Sequence, residues 1–299
     1  MPSARELSWL DPAIVARLGS LELIARTIVE GFLVGLHRSP FKGFSVEFSE
    51  YRPYLPGDDV TAIDWKLAAR SDRVYVKRFE EETNLECHLL LDVSASMGYG
   101  SGPITKLRYG ALLAAALAYL IQRQRDGVGL TLFDDAIVEG RPVSARSGHL
   151  RGLLALLGRV EPGRRSDLRL PLDQLATRLT RRGLVVLISD LLDEPAGVIQ
   201  GLKHLRFQGC DVLVLHTLDP AELTFPFETP ARFTDLESDD EVTVVPGQVR
   251  DQYLREMDAL RERYRRELRL AGIDYHLVDT ATPLDTALMA YLATRARRW

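Results

Sequence analysis

Residues Glu86–Gly100 read ECHLLLDVSASMGYG. An apolar run, Cys87 to Leu91, ends in Asp92-x-Ser94-x-Ser96, and glycines follow at once. A short, continuous apolar run bounded by turn residues is the pattern of a strand covered on both faces. Three oxygen-bearing side chains on alternate positions at its end suit a cation site, a nucleophile turn or a helix cap. The choice depends on what the rest of the chain brings beside them.

Downstream, strand-like runs recur at Val128–Phe133, Leu184–Ile188, Val212–His216 and Tyr275–Val278. Helical patterns fall between them at 106–123, 149–157, 168–179, 196–207 and 248–270. This alternation predicts an α/β fold with a doubly wound, mostly parallel, Rossmann-like sheet. Residues Phe233–Val245, with charges in their middle, read as a hairpin between two such units. Upstream, Asp11-Pro12 looks like a helix cap followed by proline at the first helical position. Leu21, Ile24, Ile28, Phe32 and Leu36 continue at helical spacing. After Pro40 come short extended pieces, Phe44–Phe48 and Val74–Val76, around a turn-rich loop at Pro53–Asp59. The expected organisation is an N-terminal helix with a small β element over 1–83, then an α/β domain over 84–299.

Composition narrows the function. The chain has 299 residues, 46% hydrophobic and 27% charged, enough to bury an ordinary globular core. A net charge of -4 gives no bulk electrostatic reason to bind nucleic acid. Cys87 and Cys210 each sit in an apolar run, which suits reduced core thiols rather than a disulfide framework or a zinc site. The most apolar segment, Ala111–Ile121, is shorter than the ~20 residues a bilayer needs. The first twelve residues carry no apolar signal core, so a cytoplasmic protein without a membrane span is expected.

Ligands of open α/β sheets sit beyond the carboxyl ends of the strands. Three loops at that edge carry oxygen: Asp92-x-Ser94-x-Ser96, Gly163-Arg164-Arg165-Ser166-Asp167, and Ser189-Asp190 after Leu184–Ile188. Two aspartates and three hydroxyls could surround one hard cation, for which Mg²⁺ is the fitting ion and Mn²⁺ the alternative. Neutral serine ligands would leave most of the 2+ charge uncancelled, so such a site would grip an incoming carboxylate rather than perform chemistry. The competing readings are local. Ser94, Ser96 or Asp190 could each cap a helix. Ser94-Ala95-Ser96-Met97-Gly98 nearly spells a nucleophile elbow, making Ser96, Asp190 and His216 or His276 a hydrolase set, but the first glycine of that turn is replaced by serine. No Walker-type Gly-Lys-Ser/Thr occurs, and Pro103 falls where Gly-x-Gly-x-x-Gly needs its last glycine. A structural scaffold with a vestigial metal site is the remaining class.

Asp92–Met97 resembles the metal-ion-dependent adhesion site of von Willebrand factor A domains. More broadly, the chain resembles the bacterial family called domain of unknown function 58, from about Gly43 to the C-terminus. That likeness rests on Glu50-Tyr51-Arg52-Pro53-Tyr54, Pro56-Gly57-Asp58-Asp59, Ile63-Asp64-Trp65 and Val76-Lys77-Arg78-Phe79-Glu80. Asp92–Met97, Lys106, Asp126-Gly127-Val128-Gly129-Leu130, Ser189-Asp190 and Asp219-Pro220-Ala221-Glu222 complete it. The resemblance implies a von Willebrand factor A-like fold with an N-terminal extension, and a Mg²⁺ site. Asp92, Ser94 and Ser96 match the family's first metal loop and Asp190 its later aspartate. Ser166 stands for the threonine of a Gly-x-Thr-Asp-Leu pattern, one residue further from Gly163 than usual. On this reading Ser94, Ser96 and Ser166 hold the metal directly, while Asp92 and Asp190 act mainly through metal-bound water. The resemblance also implies a non-enzymatic adaptor that works with a MoxR-type AAA+ ATPase and a client protein presenting an acidic side chain. Many relatives carry N-terminal transmembrane helices, for which no counterpart is read here. The Tyr54–Trp65 stretch shows no catalytic logic, and its Asp58, Asp59 and Asp64 suit turn caps or pairs with Arg52 or Lys66.

Overall fold

A computed structural model of the chain describes residues 20–38, 51–53, 75–77, 85–146, 148–165, 167–179, 182–238 and 240–298. The expected cap at Asp11-Pro12, the Phe44–Phe48 strand, the Tyr54–Trp65 stretch and Ser166 lie outside the described residues.

In chain order the elements begin with helix α1 (Leu21–Arg38) and the antiparallel pair β1 (Tyr51–Pro53) and β2 (Tyr75–Lys77). Then follow β3 (Glu86–Asp92), a short 3₁₀ helix (Ala95–Gly98), α2 (Lys106–Arg123), β4 (Gly127–Phe133), β5 (Ile137–Ser144), α3 (His149–Gly158) and α4 (Arg169–Arg178). The last part holds β6 (Leu184–Ser189), α5 (Pro195–Phe207), β7 (Asp211–Leu218), α6 (Pro220–Thr224) and the hairpin β8 (Ala231–Thr234) and β9 (Glu241–Val244). It closes with α7 (Pro246–Leu270), β10 (Asp274–Asp279) and α8 (Asp285–Arg298).

Six strands form the central sheet in the order β10-β7-β6-β3-β4-β5, all parallel except β5, which runs antiparallel to β4. The fold is thus the expected doubly wound α/β class with an N-terminal helix, and every strand and helix read from 86 onward is present. The continuous apolar runs are explained by two cores, one on each face of the sheet. Leu89 and Leu91 of β3 and Val186 and Ile188 of β6 enter one core, beside buried residues of α1, α2, α3 and α8. Leu90, Val185 and Leu187 enter the other, beneath α4, α5 and α7. Successive side chains point to opposite faces, so a strand buried on both must be apolar at every position. The helix α1 shares the first core, where Ile24, Ile28 and Phe32 are buried at the spacing its sequence predicts.

Strand β5 was not foreseen. Its IVEGRPVS sequence has no apolar run, and most of its residues are exposed because it is the sheet's edge. Pro142 is tolerated there since an edge strand need not donate on its outer side. Among the described residues no helix is long and apolar enough to cross a membrane.

Candidate functional site

Parallel pairing of β3 and β6, with Leu91 beside Ile188, brings their carboxyl ends to one place. Asp92 and Ser189 therefore meet, and the Ser189 hydroxyl donates to Asp92 Oδ2 at 2.6 Å. Asp92 Oδ1 accepts from the Ser94 backbone N–H at 2.9 Å, which turns the chain into the 3₁₀ helix. Ser94 holds the N-cap position of that helix but makes no side-chain cap bond. Its Oγ instead lies 3.1 Å from Ser96 Oγ, so two of the hydroxyls named from sequence are side by side. Thr105 caps α2 and Glu194 caps α5, so these tasks do not fall to Ser94, Ser96 or Asp190.

Asp190 follows β6 and is fully buried. Its Oδ2 accepts from the Lys106 ammonium at 2.7 Å, and its Oδ1 from the Leu192 N–H at 3.3 Å. Lys106, also without exposed surface, donates as well to Glu222 Oε1 at 2.6 Å, and its Nζ sits 5.8 Å from the Tyr99 ring centroid. Leu191, next in the chain, has φ 51°, a left-handed conformation costing a leucine about 1–2 kcal/mol. Two bonds hold it there: its N–H donates to Ser189 Oγ, and its carbonyl accepts from Tyr264.

His216, on β7, closes the site from below. Its Nε2 lies 2.7 Å from the Asp190 carbonyl oxygen and its Nδ1 2.7 Å from the Tyr275 hydroxyl. A carbonyl can only accept, so Nε2 carries the proton and Nδ1 accepts from Tyr275. Burial pushes this imidazole down to about 4, and it stays neutral at physiological pH. The histidine serves Asp190's backbone and not the Ser96 hydroxyl, whose recorded partner is Ser94. The set Ser96, Asp190 and His216 is therefore not assembled as a nucleophile, acid and base; His276 lies on β10, the outermost strand of the opposite sheet edge.

The middle loop docks on the first. Ala95 N–H donates to Arg164 O at 2.7 Å, and Gly163 N–H donates to Val93 O. The approach at Gly163 is close: a Cβ there would lie 2.6 Å from Asp134 Oδ2 and 3.1 Å from Val93 O, so a larger residue would have to push the Asp134 carboxylate aside. The loop bearing Ser166 thus approaches Asp92-x-Ser94-x-Ser96 through Gly163 and Arg164, while Ser166 itself is not described.

The two carboxylates differ in their electrostatics. Burial, and then the neighbouring Asp190, push Asp92 up to about 7, against the hydrogen bonds from Ser189 and Ser94. Among the described residues no cationic side chain donates to it. For Lys106, burial opposes the charge, but Asp190 and Glu222 more than offset it and hold the ammonium above the ordinary lysine range. A buried carboxylate beside a second acid, with a pair of hydroxyls at hand, is a donor set that a hard cation would complete. Among the described residues no three His, Cys, Asp or Glu side chains come close enough to share an ion, so such a site depends on the serines.

From the sequence, Lys106 and Glu222 figure only in the family likeness and Ser189 only as part of the third oxygen-bearing loop, with no partner assigned to any of them. One signal was readable. Asp219-Pro220-Ala221-Glu222 is a capping box with proline at the first helical position, and it forms: Asp219 accepts from Ala221 N–H, and Glu222 Oε2 accepts from Asp219 N–H, both at 2.8 Å. The box fixes α6 so that Glu222 Oε1 faces Lys106. Asp219 also accepts from the N–H and hydroxyl of Ser101, tying the end of β7 to the loop after the 3₁₀ helix.

Comparison with known proteins gives a family. A family model described as "Protein of unknown function DUF58" matches residues 50–263. The Uncharacterized protein Mb1516 of Mycobacterium bovis is 29% identical over 294 residues, which cover 96% of this chain and 91% of that protein. Among solved structures, the conserved hypothetical protein BatB from Bacteroides thetaiotaomicron is similar with TM-score 0.48 and 15% identity, over 72% of this chain and 100% of that one. The SpRpn10 VWA domain is similar with TM-score 0.36 and 10% identity, over 69% of this chain and 94% of that one.

Proposed function

The chain belongs to the DUF58 family of proteins of unknown function, and on that premise we propose that it is a non-enzymatic adaptor that binds a partner's carboxylate through a Mg²⁺ site at the ends of β3 and β6. The observation that carries this reading is the grouping of Asp92, Ser94 and Ser96 beside Asp190, with the two serine hydroxyls 3.1 Å apart. Ser94 and Ser96 would hold the ion directly, with Ser166 as the third hydroxyl. Asp92 and Asp190 would supply negative charge. A bound Mg²⁺ would offer a positive charge open to an incoming carboxylate oxygen. Asp190 is already shared with Lys106, so little of that charge would be cancelled from its side. The family resemblance supplies the setting: a MoxR-type AAA+ ATPase as partner, and chaperone-like assembly or maturation of a client as the task.

One observation favours a second reading, a scaffold whose metal site is vestigial. Lys106 already gives Asp190 a cation, and a second cation nearby would be repelled by it. Titration of the purified protein with Mn²⁺, followed by electron paramagnetic resonance and by competition with Mg²⁺, separates the two. The adaptor reading expects one site, displaced by Mg²⁺ and lost in Ser96→Ala and in Asp92→Ala. A wild type that binds no Mn²⁺, or variants that bind it unchanged, would refute the assigned site.

A further inference from the structure

Next to the serine pair is a cavity of about 330 Å³ that the proposed metal grip does not use. One wall belongs to the site itself: Ser96, Tyr99, Lys106 and Leu192. The opposite wall is the tip of the β8–β9 hairpin, Asp235, Leu236 and Glu237, which belongs to none of the three oxygen-bearing loops. This hairpin is anchored. Phe225, Phe227 and Phe233 form a ring cluster with centroids 5.0–5.7 Å apart, and Phe225 packs on Tyr253 of α7 at 4.7 Å. Arg250 donates to the carbonyls of Phe225 and Phe227, and Tyr253 donates to the carbonyl of Glu222. The tip is shaped from within as well: Asp235 N–H donates to the Asp240 carbonyl at 2.8 Å, and the Asp235 carboxylate accepts from Glu237 N–H at 2.7 Å. A wall held this firmly is a surface for recognition.

Its chemistry specifies the occupant. Leu192, the Tyr99 ring and Leu236, which is 49% exposed, give an apolar lining. The charged groups of the walls are Glu222, Asp235 and Glu237 against Lys106, whose ammonium is spent on Asp190 and Glu222. Backbone bonds from Glu237 hold the Asp235 carboxyl below the ordinary aspartate range, with Arg165 of the middle loop a weaker influence. An apolar lining with an acidic rim fits an arginine or lysine, whose stem packs on apolar surface while its head reaches carboxylates.

We propose that the β8–β9 tip is the specificity wall of the binding site, and that the partner segment carries a basic side chain a few residues from the carboxylate that the serine site grips. The proposal rests on the carboxylate-binding reading and deepens it. A segment with one acid flanked by a base would satisfy both walls. A run of acidic residues, which a bare metal site would welcome, would be repelled by Asp235 and Glu237.

Fluorescein-labelled peptides of otherwise glycine and serine test this by polarisation in millimolar Mg²⁺. One series holds a glutamate with an arginine two to four residues away, a second replaces the arginine by glutamate, and a third replaces the gripped glutamate by glutamine. The arginine series should bind about five- to tenfold tighter than the all-acidic one, the size expected of one or two partly exposed ion pairs. The Asp235→Asn/Glu237→Gln variant should erase that preference while keeping Mg²⁺-dependent binding. Equal binding of the first two series overturns the specificity wall and leaves the carboxylate grip standing. An arginine preference that survives in the glutamine series and vanishes in the hairpin variant supports the wall and refutes the grip. Failure of every series to bind overturns both.

Discussion

The two aspartates of the site stand at the ends of neighbouring strands, both without exposed surface, yet their surroundings are opposite. Asp190 has a counter-charge in the chain, the Lys106 ammonium at 2.7 Å, which it shares with Glu222. Among the described residues, Asp92 is served by hydrogen bonds from Ser189 and Ser94 and by no cation. Burial penalises an unpaired carboxylate far more than a paired one. One half of the site is therefore served by the fold, and the other half has no cation among the described residues. That asymmetry is the physical basis for placing an external ion on the Asp92 side, and it can be broken from either end.

The largest effect is expected from the Asp190 half. Lys106→Met removes the ammonium and leaves Asp190 and Glu222 as buried acids without their partner, which should cost about 3–5 kcal/mol. Chemical denaturation in metal-free buffer measures it, and adding Asp190→Asn should recover part of the loss. A loss of less than about 1 kcal/mol would mean that Asp190 has its counter-charge elsewhere, and the comparison of the halves would collapse.

A smaller effect comes from pH. Burial lowers His216 from 6.5 to about 4, so the unfolded chain binds more protons between those values. Stability from this group is complete above pH 6.5, falls as pH drops toward 4, and levels off below. The span is roughly 3 kcal/mol, by the usual ~1.4 kcal/mol per pKa unit. Asp92, raised to about 7, works the other way: its ionisation costs stability as pH rises from about 4 to 7. The two should nearly cancel in the metal-free wild type. In Asp92→Asn, by contrast, the His216 slope should stand alone. A flat stability profile between pH 4 and 6.5 in that variant would show that His216 is protonated in the folded protein.

How much of this was legible in the sequence follows from the same physics. Strands β3 and β6 announced themselves because both faces are covered, so Leu89–Leu91 and Leu184–Ile188 are continuous apolar runs. Strand β5 was silent because its edge position asks for no such run. Asp92, Ser94 and Ser96 could be read as a group because they are close in sequence. Lys106 could not, since its partners lie 84 and 116 positions away and a lysine at a helix start normally faces water. The spacing of Asp219 and Glu222 suits a capping box, but a capping box does not say where the second carboxylate oxygen of Glu222 points. The hairpin was predicted as a hairpin; that its tip would form the far wall of the cavity depends on aromatic packing against α7, which no local pattern encodes.

The Asp92 half gives the smallest change in stability and the sharpest discrimination. Asp92→Asn keeps a carbonyl oxygen where Oδ1 or Oδ2 accepts and removes a charge that burial disfavours. Without metal, near pH 8, the variant should be no less stable than the wild type, in contrast to Lys106→Met. With Mg²⁺ added, the wild type should gain stability as RT ln(1 + [L]/Kd), about 2.7 kcal/mol at a hundredfold excess over Kd, and the variant should gain almost none. Thermal unfolding with and without Mg²⁺ reads both quantities in one experiment. A variant that unfolds as easily as Lys106→Met would mean that Asp92 is a structural charge, fully served within the fold. A variant that still responds to Mg²⁺ would move the ion away from Asp92. Only a stable, metal-blind Asp92→Asn leaves the reading intact, in which one aspartate is neutralised by the chain and its neighbour is kept for an ion from outside.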